Sequence, residues 1–398
     1  MEHLNEIFEL HDLAVAEAVK YSKHRYIYDT ILNDQGKHFL GITGLRGVGK
    51  SVILKQLASR RANSIYISLD TLKDIDIFDL IKQLNLTYKI TLFLLDEVHF
   101  IKNIDEVLKK VYDFLDVKII FTSSVALGMF QSAYDLSRRL KLLSLYPFSF
   151  REFLAFKNNI DLPVLTLDTI ENKQWDGEYL RYGYYFEQYL KGGNMPFALD
   201  EPDILPLLRN ILRTVIYKDA PNIAKLTIDE LDILWKLVSF IGKSAIDGIN
   251  YSTIAKNIGI TKFKAQSYIE TLRQAYILHR IMPAGTNVLK EAKIVLAPPF
   301  RLLFKNYDDC IGGLREDFFI EMLAMANFDF QYLKSVRGAK TPDYLIQTPT
   351  GSLIVEIGGH GKGREQFKGI SGKKQVIFTH SNRTDGIRTP LFLAGFLA

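Results

Sequence analysis

An eight-residue stretch near the start of the chain, GLRGVGKS at 44–51, contains the residue types that hold phosphate groups. Its glycines let the backbone curl so that successive N–H groups face one anion. Lys50 would bring a positive charge to the β- and γ-phosphates, and Ser51 would place its hydroxyl on Mg²⁺. The stretch fits the pattern G-x-x-x-x-G-K-[ST] in full, in the strand-to-helix context that this pattern requires. The residues expected to bind the nucleotide, ATP, are Gly44, Leu45, Arg46, Gly47, Val48, Gly49, Lys50 and Ser51.

A second acidic motif supports this prediction independently. In LFLLDE at 92–97, four apolar residues precede two acids, which is typical of a buried strand with carboxylates at its C-terminal end. Ligands of parallel α/β sheets bind at that end. We expect Asp96 to hold Mg²⁺ and Glu97 to be the base that orients the attacking water. The alternative is a solvated strand end without a role in chemistry.

Two further segments offer candidate catalytic side chains. The run VKIIFTSS at 117–124 ends in small polar residues, so Ser123 or Ser124 could bond the attacking water or the γ-phosphate. The same serine could instead cap a following helix. In LSRRL at 136–140, Arg138 or Arg139 could neutralise transition-state charge in a neighbouring subunit. We take Ser123 and Arg138, with Lys50 and Glu97, as the candidate catalytic residues.

The elements that must position these residues alternate along the first part of the chain, residues 1–156. Helical spacing of apolar residues recurs between strand-length apolar runs. The predicted strands lie within 38–43, 64–70, 90–97, 117–124 and 140–148. This alternation predicts an α/β fold with a parallel sheet covered by helices on both faces.

The pattern changes after this block. Residues 157–224 read as a helical extension, and residues 305–398 as a small α/β domain. Between them, residues 225–304 predict three helices and two short strands, the elements of a winged helix. This segment contains 11 lysines and arginines and six acids, an excess of +5 that equals the formal net charge of the whole chain.

The third helix of that segment would be the DNA-recognition helix. Its polar side chains are Lys262, Lys264, Gln266 and Arg273, with Thr261 as its cap. Lysine and arginine contact phosphates, and glutamine can read a base edge. The alternative is a winged helix that packs only against protein.

These motifs, together with LSLYPFSFREFL at 143–154, KGGNMPF and VIYKDA, resemble prokaryotic AAA-superfamily ATPases. In that group the ATPase core is followed by a winged helix and a nuclease-like C-terminal domain. The resemblance covers essentially the whole chain and implies ATP turnover that drives conformational change. In the family a glycine precedes the arginine at Arg138, whereas this chain has Ser137.

The resemblance also implies a PD-(D/E)xK nuclease layout in the tail. Glu316, Asp343 and Glu356 match its acids, which hold Mg²⁺ in active members. The lysine two residues after the second acid is Gly358 here, so the expected domain is degenerate. Lys362 or Gln366 could supply the missing group.

Composition sets the remaining expectations. The chain is 47% hydrophobic and 24% charged, and it has one cysteine, which excludes an intrachain disulfide. With no basic leader and no long apolar run, a cytoplasmic protein without a membrane partner is expected. The leading hypothesis is a Mg²⁺-dependent ATPase whose hydrolysis repositions the winged helix and the tail, with DNA as a candidate partner. A homo-oligomer would suit an arginine supplied by a neighbour. The alternatives are an ATP-dependent nuclease and an ATP-controlled protein-interaction module.

Overall fold

The computed structural model describes most of the chain, in ranges separated by short gaps. The described residues are 2–72, 75–125, 136, 138–244, 249–285, 291–333, 341–359, 367 and 374–398. They form two compact units. The first comprises Met1–Tyr146 with Pro221–Lys225, and the second comprises Pro147–Ala220 with Leu226–Ala398. Within the described ranges, no helix is both long enough and apolar enough to cross a bilayer.

The first unit contains a five-stranded sheet in which every strand pair is parallel. Its strands are β1 (Phe39–Thr43), β2 (Ser64–Ser68), β3 (Leu92–Asp96), β4 (Lys118–Ser123) and β5 (Leu140–Ser144). Their spatial order is β2-β3-β4-β1-β5. Because β4 lies between β1 and β3, the carboxyl ends of these three strands meet at one edge. The predicted parallel sheet is confirmed.

Helices cover this sheet. They are α1 (Glu2–Ala18), α2 (Ile27–Leu32), α3 (Lys50–Arg60), α4 (Ile77–Tyr88) and α5 (Ile104–Phe114). All five residues of β1 are buried, as expected for a strand with helices on both faces. Polar residues begin some of these helices; the Asp76 carboxylate, for example, accepts from the Asp79 N–H and caps α4.

The second unit begins with short helical elements. Its regular helices up to residue 223 are α6 (Phe150–Asn158), α7 (Leu167–Glu171), α8 (Phe186–Gln188), α9 (Leu205–Thr214) and α10 (Ala220–Ile223), the last of which crosses the boundary between the units. The 3₁₀ and π segments are Gly177–Tyr185, Tyr189–Gly193, Pro196–Leu199 and Val215–Asp219.

Three helices and an antiparallel strand pair follow. They are α11 (Ile228–Lys243), α12 (Tyr251–Ile258), α13 (Lys262–Gln274), β6 (Leu278–Ile281) and β7 (Lys293–Leu296). Thr261 caps α13 by accepting from the Lys264 N–H, as the sequence predicted. The identification of these elements as a winged helix stays a prediction.

The tail forms a second sheet. A 3₁₀ turn (Phe300–Leu303) leads into α14 (Tyr307–Met325), β8 (Phe330–Tyr332), β9 (Tyr344–Thr348), β10 (Gly351–Gly358), β11 (Lys374–Thr379), β12 (Arg388–Pro390) and a 3₁₀ segment (Leu391–Phe396). The strand order is β12-β11-β10-β9-β8, with β10, β11 and β12 parallel to one another and the other pairs antiparallel.

One apolar core joins the early helices of this unit to the tail sheet. The Phe150 ring on α6 meets Phe186 and Tyr189 edge to face, and it also contacts Phe392 and Phe396 near the end of the chain. Such aromatic pairs contribute about 0.5–1.5 kcal/mol each beyond the burial of their area. Segments more than two hundred residues apart are therefore packed together, and the predicted domain boundaries at 157, 225 and 305 stay predictions.

Candidate functional site

The glycine-containing loop after β1 folds around the ammonium group of Lys50. The Lys50 Nζ donates to the carbonyl oxygens of Gly44 at 2.8 Å and Leu45 at 2.9 Å. Gly47 and Gly49 have φ angles of 80° and 93°, which favour glycine. Because α3 begins at Lys50, its N-terminal end adjoins this loop. The curled backbone and the helix end together provide an anion-binding arrangement.

The close approach of two strand ends restricts the first residue of this loop. A Cβ atom added to Gly44 would lie 2.0 Å from the carbonyl oxygen of Leu145. Backbone atoms cannot move aside as a flexible side chain could, so this position requires glycine.

Asp96 lies buried at the end of β3 between two hydroxyl donors. The Tyr66 hydroxyl donates to Asp96 Oδ2 at 2.7 Å, and the Thr122 hydroxyl donates to Asp96 Oδ1. Burial and the adjacent Asp96 carboxylate raise the pKa of Tyr66 well above its usual range, so this phenol stays a donor. The two donors orient a carboxylate at the edge where the phosphate-binding loop also lies.

Glu97 follows with a left-handed backbone, φ 57°. Its N–H donates to Thr122 Oγ1 at 2.9 Å, and its carboxylate accepts from Ser124 Oγ at 3.1 Å. Burial raises the pKa of Glu97, while the positive charges of Lys50 and Arg46 act against that rise. A half-buried carboxylate with a raised pKa at a sheet edge has the properties expected of a general base.

The two adjacent serines after β4 have different partners. Ser123 Oγ donates to the Val125 carbonyl at 3.0 Å and accepts from the Val125 N–H at 3.1 Å. Ser124 Oγ contacts Glu97 and also accepts from Lys50 Nζ at 3.4 Å. Of the two serines that the sequence offered, the geometry therefore favours Ser124 over Ser123 as a group near the reacting atoms.

The two arginines before β5 also differ. Arg139 forms a two-point pair with Asp113, with Nε to Oδ1 at 2.9 Å and Nη2 to Oδ2 at 3.1 Å. Arg138 is exposed. Arg139 is thus fixed within its own unit, and Arg138 is the residue whose side chain could reach a neighbouring subunit; Ser137, before it, lies outside the described residues.

The donor set fits Mg²⁺ held together with phosphates. In the part of the chain that the structure describes, no three His, Cys, Asp or Glu side chains form a metal cage. Mg²⁺ does not need one, since it is commonly bound by one or two carboxylates, substrate phosphates and water. Asp96, at the end of β3, and Ser51, in the first turn of α3, would supply one carboxylate and one hydroxyl.

Three residues of this site were missed by the sequence reasoning. Tyr66 and Thr122 orient Asp96, and His99 lies beside Glu97 with its Nδ1 3.1 Å from Glu97 Oε2. Thr122 lies in the quoted FTSS run, and the strand order would have pointed to it. No pattern marks Tyr66, because only the pairing of β2 with β3 brings it to Asp96.

In the tail, the structure brings the predicted acids together. Asp343 precedes β9 and accepts from the Ile357 N–H at 2.7 Å, while Glu356 lies buried in β10. Burial, with the negative charges of Glu356 and Glu316, raises the pKa of Asp343 to about 7. Lys362 and Gln366, the suggested substitutes for the missing lysine, lie outside the described residues.

A lysine from another element reaches these acids. Lys293 on β7 places Nζ 2.6 Å from Glu316 Oε1, which also accepts from the Tyr344 hydroxyl. Asp343, Glu316 and Gly358 line a cavity of about 420 Å³ that also receives Arg315. This cavity therefore has a mixed charge, with cations beside the carboxylates.

The cations of α13 have carboxylate partners within their unit. Lys262 Nζ lies 2.6 Å from Glu291, Lys264 Nζ lies 3.1 Å from Glu230, and Arg273 lies 2.6 Å from Glu270. Gln266 is exposed. Water and salt screen such surface pairs, so a phosphate could replace the carboxylate at little cost.

Comparison with known proteins agrees with this geometry. Residues 36–154 match the family model described as an AAA domain, and residues 184–298 match one described as a domain of unknown function, DUF8612. The chain is similar to uncharacterized protein MJ1637 of Methanocaldococcus jannaschii, with 27% identity over 94% of this chain and 89% of the relative. An uncharacterized protein of Haemophilus influenzae is 23% identical over 65% of this chain and 66% of its own length.

Solved structures are also similar to this chain. The RuvB Holliday junction branch migration motor of Thermotoga maritima has 16% identity and a TM-score of 0.26, covering 69% of this chain and 89% of that one. A katanin structure has 18% identity and a TM-score of 0.24, covering 41% and 60%. The parallel sheet, the loop after β1 and the match to an AAA domain show that the first unit has the fold of an AAA-type P-loop core, and an α/β region with its own sheet follows it.

Proposed function

We propose that this protein binds ATP with Mg²⁺ and hydrolyses it. The observation that carries the proposal is the convergence of Lys50, Asp96, Glu97 and Ser124 at one edge of a parallel sheet. Lys50 and Glu97 both contact Ser124, at 3.4 and 3.1 Å, so the phosphate-binding cation and the acidic base border the same small space.

Each residue has a definite proposed role. Lys50 would exchange its carbonyl partners for the β- and γ-phosphates, which are stronger acceptors. Ser51 and Asp96 would hold Mg²⁺, which when bound offsets the negative charge of the phosphates. Glu97 would orient the attacking water and accept its proton, and Ser124 would hold the Glu97 carboxylate towards that water.

Two substitutions test this function with separable results. Lys50→Ala should abolish ATP binding or nearly so, because the phosphates lose their cationic partner. Glu97→Gln should keep ATP binding and lower turnover by about 10²- to 10⁴-fold, since an amide cannot act as a base. Binding is measured with a fluorescent ATP analogue, and turnover by phosphate release in Mg²⁺.

A matched control comes from the same helix. Lys55 also lies on α3 but pairs with Glu17, so Lys55→Ala should leave both measurements near wild type. Unchanged nucleotide affinity in Lys50→Ala would contradict the phosphate-loop assignment. Wild-type turnover in Glu97→Gln would remove Glu97 as the base.

We further propose that turnover drives a conformational change, and that the partner is DNA. The support is the exposure of Lys262, Lys264 and Gln266 on α13 together with the +5 charge excess of residues 225–304. The cytoplasm is the proposed location, and a homo-oligomer would give the exposed Arg138 a neighbouring site to enter. If DNA neither binds nor alters turnover, the protein-interaction alternative is favoured.

DNA cleavage by the tail is the less supported alternative. Gly358 replaces the lysine that the nuclease layout requires, and Lys293 already pairs with Glu316. We therefore propose that the tail is a degenerate domain that binds a partner without cutting it.

A further inference from the structure

The base proposed for hydrolysis has a second neighbour besides Ser124. His99 lies two residues after Glu97, in a short 3₁₀ turn (Val98–Phe100), and its side chain is fully buried. The His99 Nδ1 is 3.1 Å from Glu97 Oε2. On the other side of the ring, His99 Nε2 is 3.3 Å from Arg46 Nη2.

Arg46 contacts both His99 and Glu97, so these three side chains are all in mutual contact. Its Nη1 lies 3.6 Å from Glu97 Oε1, so one guanidinium faces both the base and the histidine. Arg46 belongs to the phosphate-binding loop, between Leu45 and Gly47. Arg46 therefore connects this loop to Glu97 both directly and through the buried imidazole of His99.

The hydrogen-bonding chemistry of Arg46, His99 and Glu97 determines which tautomer of the imidazole is present. A guanidinium donates hydrogen bonds and cannot accept them, so His99 Nε2 must be the acceptor. A neutral imidazole then carries its proton on Nδ1, the nitrogen that faces the Glu97 carboxylate. The distance from His99 Nδ1 to Glu97 Oε2 is that of a hydrogen bond, but the two groups are not well aligned for one. Such bonds commonly become shorter and better aligned only when substrate binds.

From this geometry we propose that His99, held by Arg46 as its Nδ1–H tautomer, is a positioning residue for Glu97. The inference rests on the proposed ATPase function. His99 would donate to Glu97 Oε2 and leave Oε1 directed at the water. Because Arg46 lies in the loop, bound phosphates and the orientation of the base would be coupled.

Two amide substitutions separate positioning from packing. In His99→Asn the amide N–H lies where Nδ1 was, so the donor to Glu97 is kept. In His99→Gln the amide reaches the Nε2 position and keeps only the Arg46 contact. We expect His99→Gln and His99→Ala to lower kcat about 10- to 100-fold, the loss of one hydrogen bond to a charged group. We expect His99→Asn to retain most of kcat, and all three variants to bind an ATP analogue with near wild-type affinity.

The possible results are distinguishable. Equal losses of kcat in His99→Asn and His99→Gln would show that the ring acts by packing, which overturns the proposal while the ATPase assignment stands. Absence of turnover in the wild type would overturn the proposed function and the positioning role with it. Wild-type kcat in His99→Ala would overturn the positioning role alone.

A second measurement does not require active variants. Selective ¹⁵N-histidine labelling of the full chain, with His99→Asn used for assignment, reports the tautomer of His99 by NMR. The Nδ1–H form is expected in the wild type, and Arg46→Ala should reduce its population, since Nε2 loses its donor. An Nε2–H form or an imidazolium in the wild type near neutral pH would overturn the proposal.

Discussion

Thr122 joins the two acids of the nucleotide site through one hydroxyl. Its Oγ1 donates to Asp96 and accepts from the Glu97 N–H at 2.9 Å. Neighbouring strands supply these groups, so the relative position of the two acids depends on the pairing of β3 with β4. Asp96 has two hydroxyl donors, while Glu97 is held on its other sides by Ser124, His99 and Arg46. Asp96, the proposed metal ligand, is thus fixed by residues of neighbouring strands, whereas Glu97, the proposed base, is contacted by residues outside the strands.

The different partners of Ser123 and Ser124 give a paired prediction. Ser124→Ala should lower kcat about 10-fold or more with little change in ATP affinity, because the Glu97 carboxylate loses a hydrogen bond. Ser123→Ala should cost about 1 kcal/mol of stability, from its bonds to Val125, and leave kcat near wild type. Steady-state ATPase kinetics and thermal unfolding of both variants make the comparison. A larger loss of kcat in Ser123→Ala than in Ser124→Ala would instead favour Ser123, the residue that was predicted from the sequence.

At this scale the sequence predicts residue types better than their contacts. Lys50, Asp96 and Glu97 could be named because fixed spacing around a loop and a strand end specifies their roles. Of the two serines, Ser123 was taken from the sequence whereas the geometry favours Ser124, because a single residue of offset at a strand end decides which hydroxyl turns towards Glu97 after β3. Tyr66 and His99 had no signal at all, since their importance arises from contacts that form only in the folded chain.

Among the elements, the strands of the first unit were predictable and their order was not. Each strand is a bounded apolar run, because burial on both faces of a parallel sheet requires apolar residues at successive positions. The position of β4 between β1 and β3 depends on the path of the helical connections between the strands. Local sequence patterns do not indicate that path. The short strand β12 (Arg388–Pro390) was missed because three residues have too little periodicity to detect.

The recognition-helix hypothesis gives a prediction for α13. Reversing charge at Lys262 and Lys264 together should weaken DNA binding and lower the salt dependence of the affinity. The slope of log K against log salt should fall by about 1 for each lysine that contacts a phosphate. Titration of labelled duplex DNA by fluorescence anisotropy at several salt concentrations measures both quantities.

A control for net charge lies on α11. Lys236 and Lys243 are exposed there, and their reversal changes the net charge by the same amount. DNA binding that falls equally in both double variants would indicate a general charge effect and remove α13 as the contact. Unchanged binding in the α13 variant would place any DNA contact elsewhere.

On the scale of the whole molecule, the chain returns to the same core from distant positions. The ring of Phe150 packs against Phe392 and Phe396, and the Leu165 N–H donates to the Phe396 carbonyl at 2.8 Å. The sequence pattern predicts successive segments in this part of the chain, because changes of local pattern mark elements and not the long-range packing between them. The end of the chain therefore contributes to the stability of the helices that follow the first unit.

The buried acids of the tail give a prediction for the stability of the whole chain. The pKa of Asp343 is about 7 when folded, raised first by burial and then by Glu356 and Glu316, against about 3.9 when unfolded. The folded state therefore binds the proton more tightly, so this group stabilises the protein at low pH. That contribution is lost as the pH rises from about 4 through 7. Asp343→Asn, whose amide oxygen can still accept from the Ile357 N–H, should remove this loss.

In EDTA, which excludes metal binding, Asp343→Asn should melt at a higher temperature than wild type at pH 8. The difference should shrink towards zero near pH 4, where the wild-type carboxyl is also neutral. The exposed carboxyl of Asp329, in the same unit, supplies the control, because Asp329→Asn removes a charge that water already solvates. A variant Asp343→Asn that melts below wild type at pH 8 would mean that the ionised carboxylate is stabilised in the fold. Lys293 would then be the cation to examine, since its charge already opposes the rise in the pKa of Asp343.

Adding Mg²⁺ to the wild type at pH 8 extends the test. A metal held by Asp343 would raise the melting temperature of the wild type and not that of Asp343→Asn. Equal responses of the two proteins to Mg²⁺ would leave the tail without a metal at this residue, as expected for a domain that has lost cleavage.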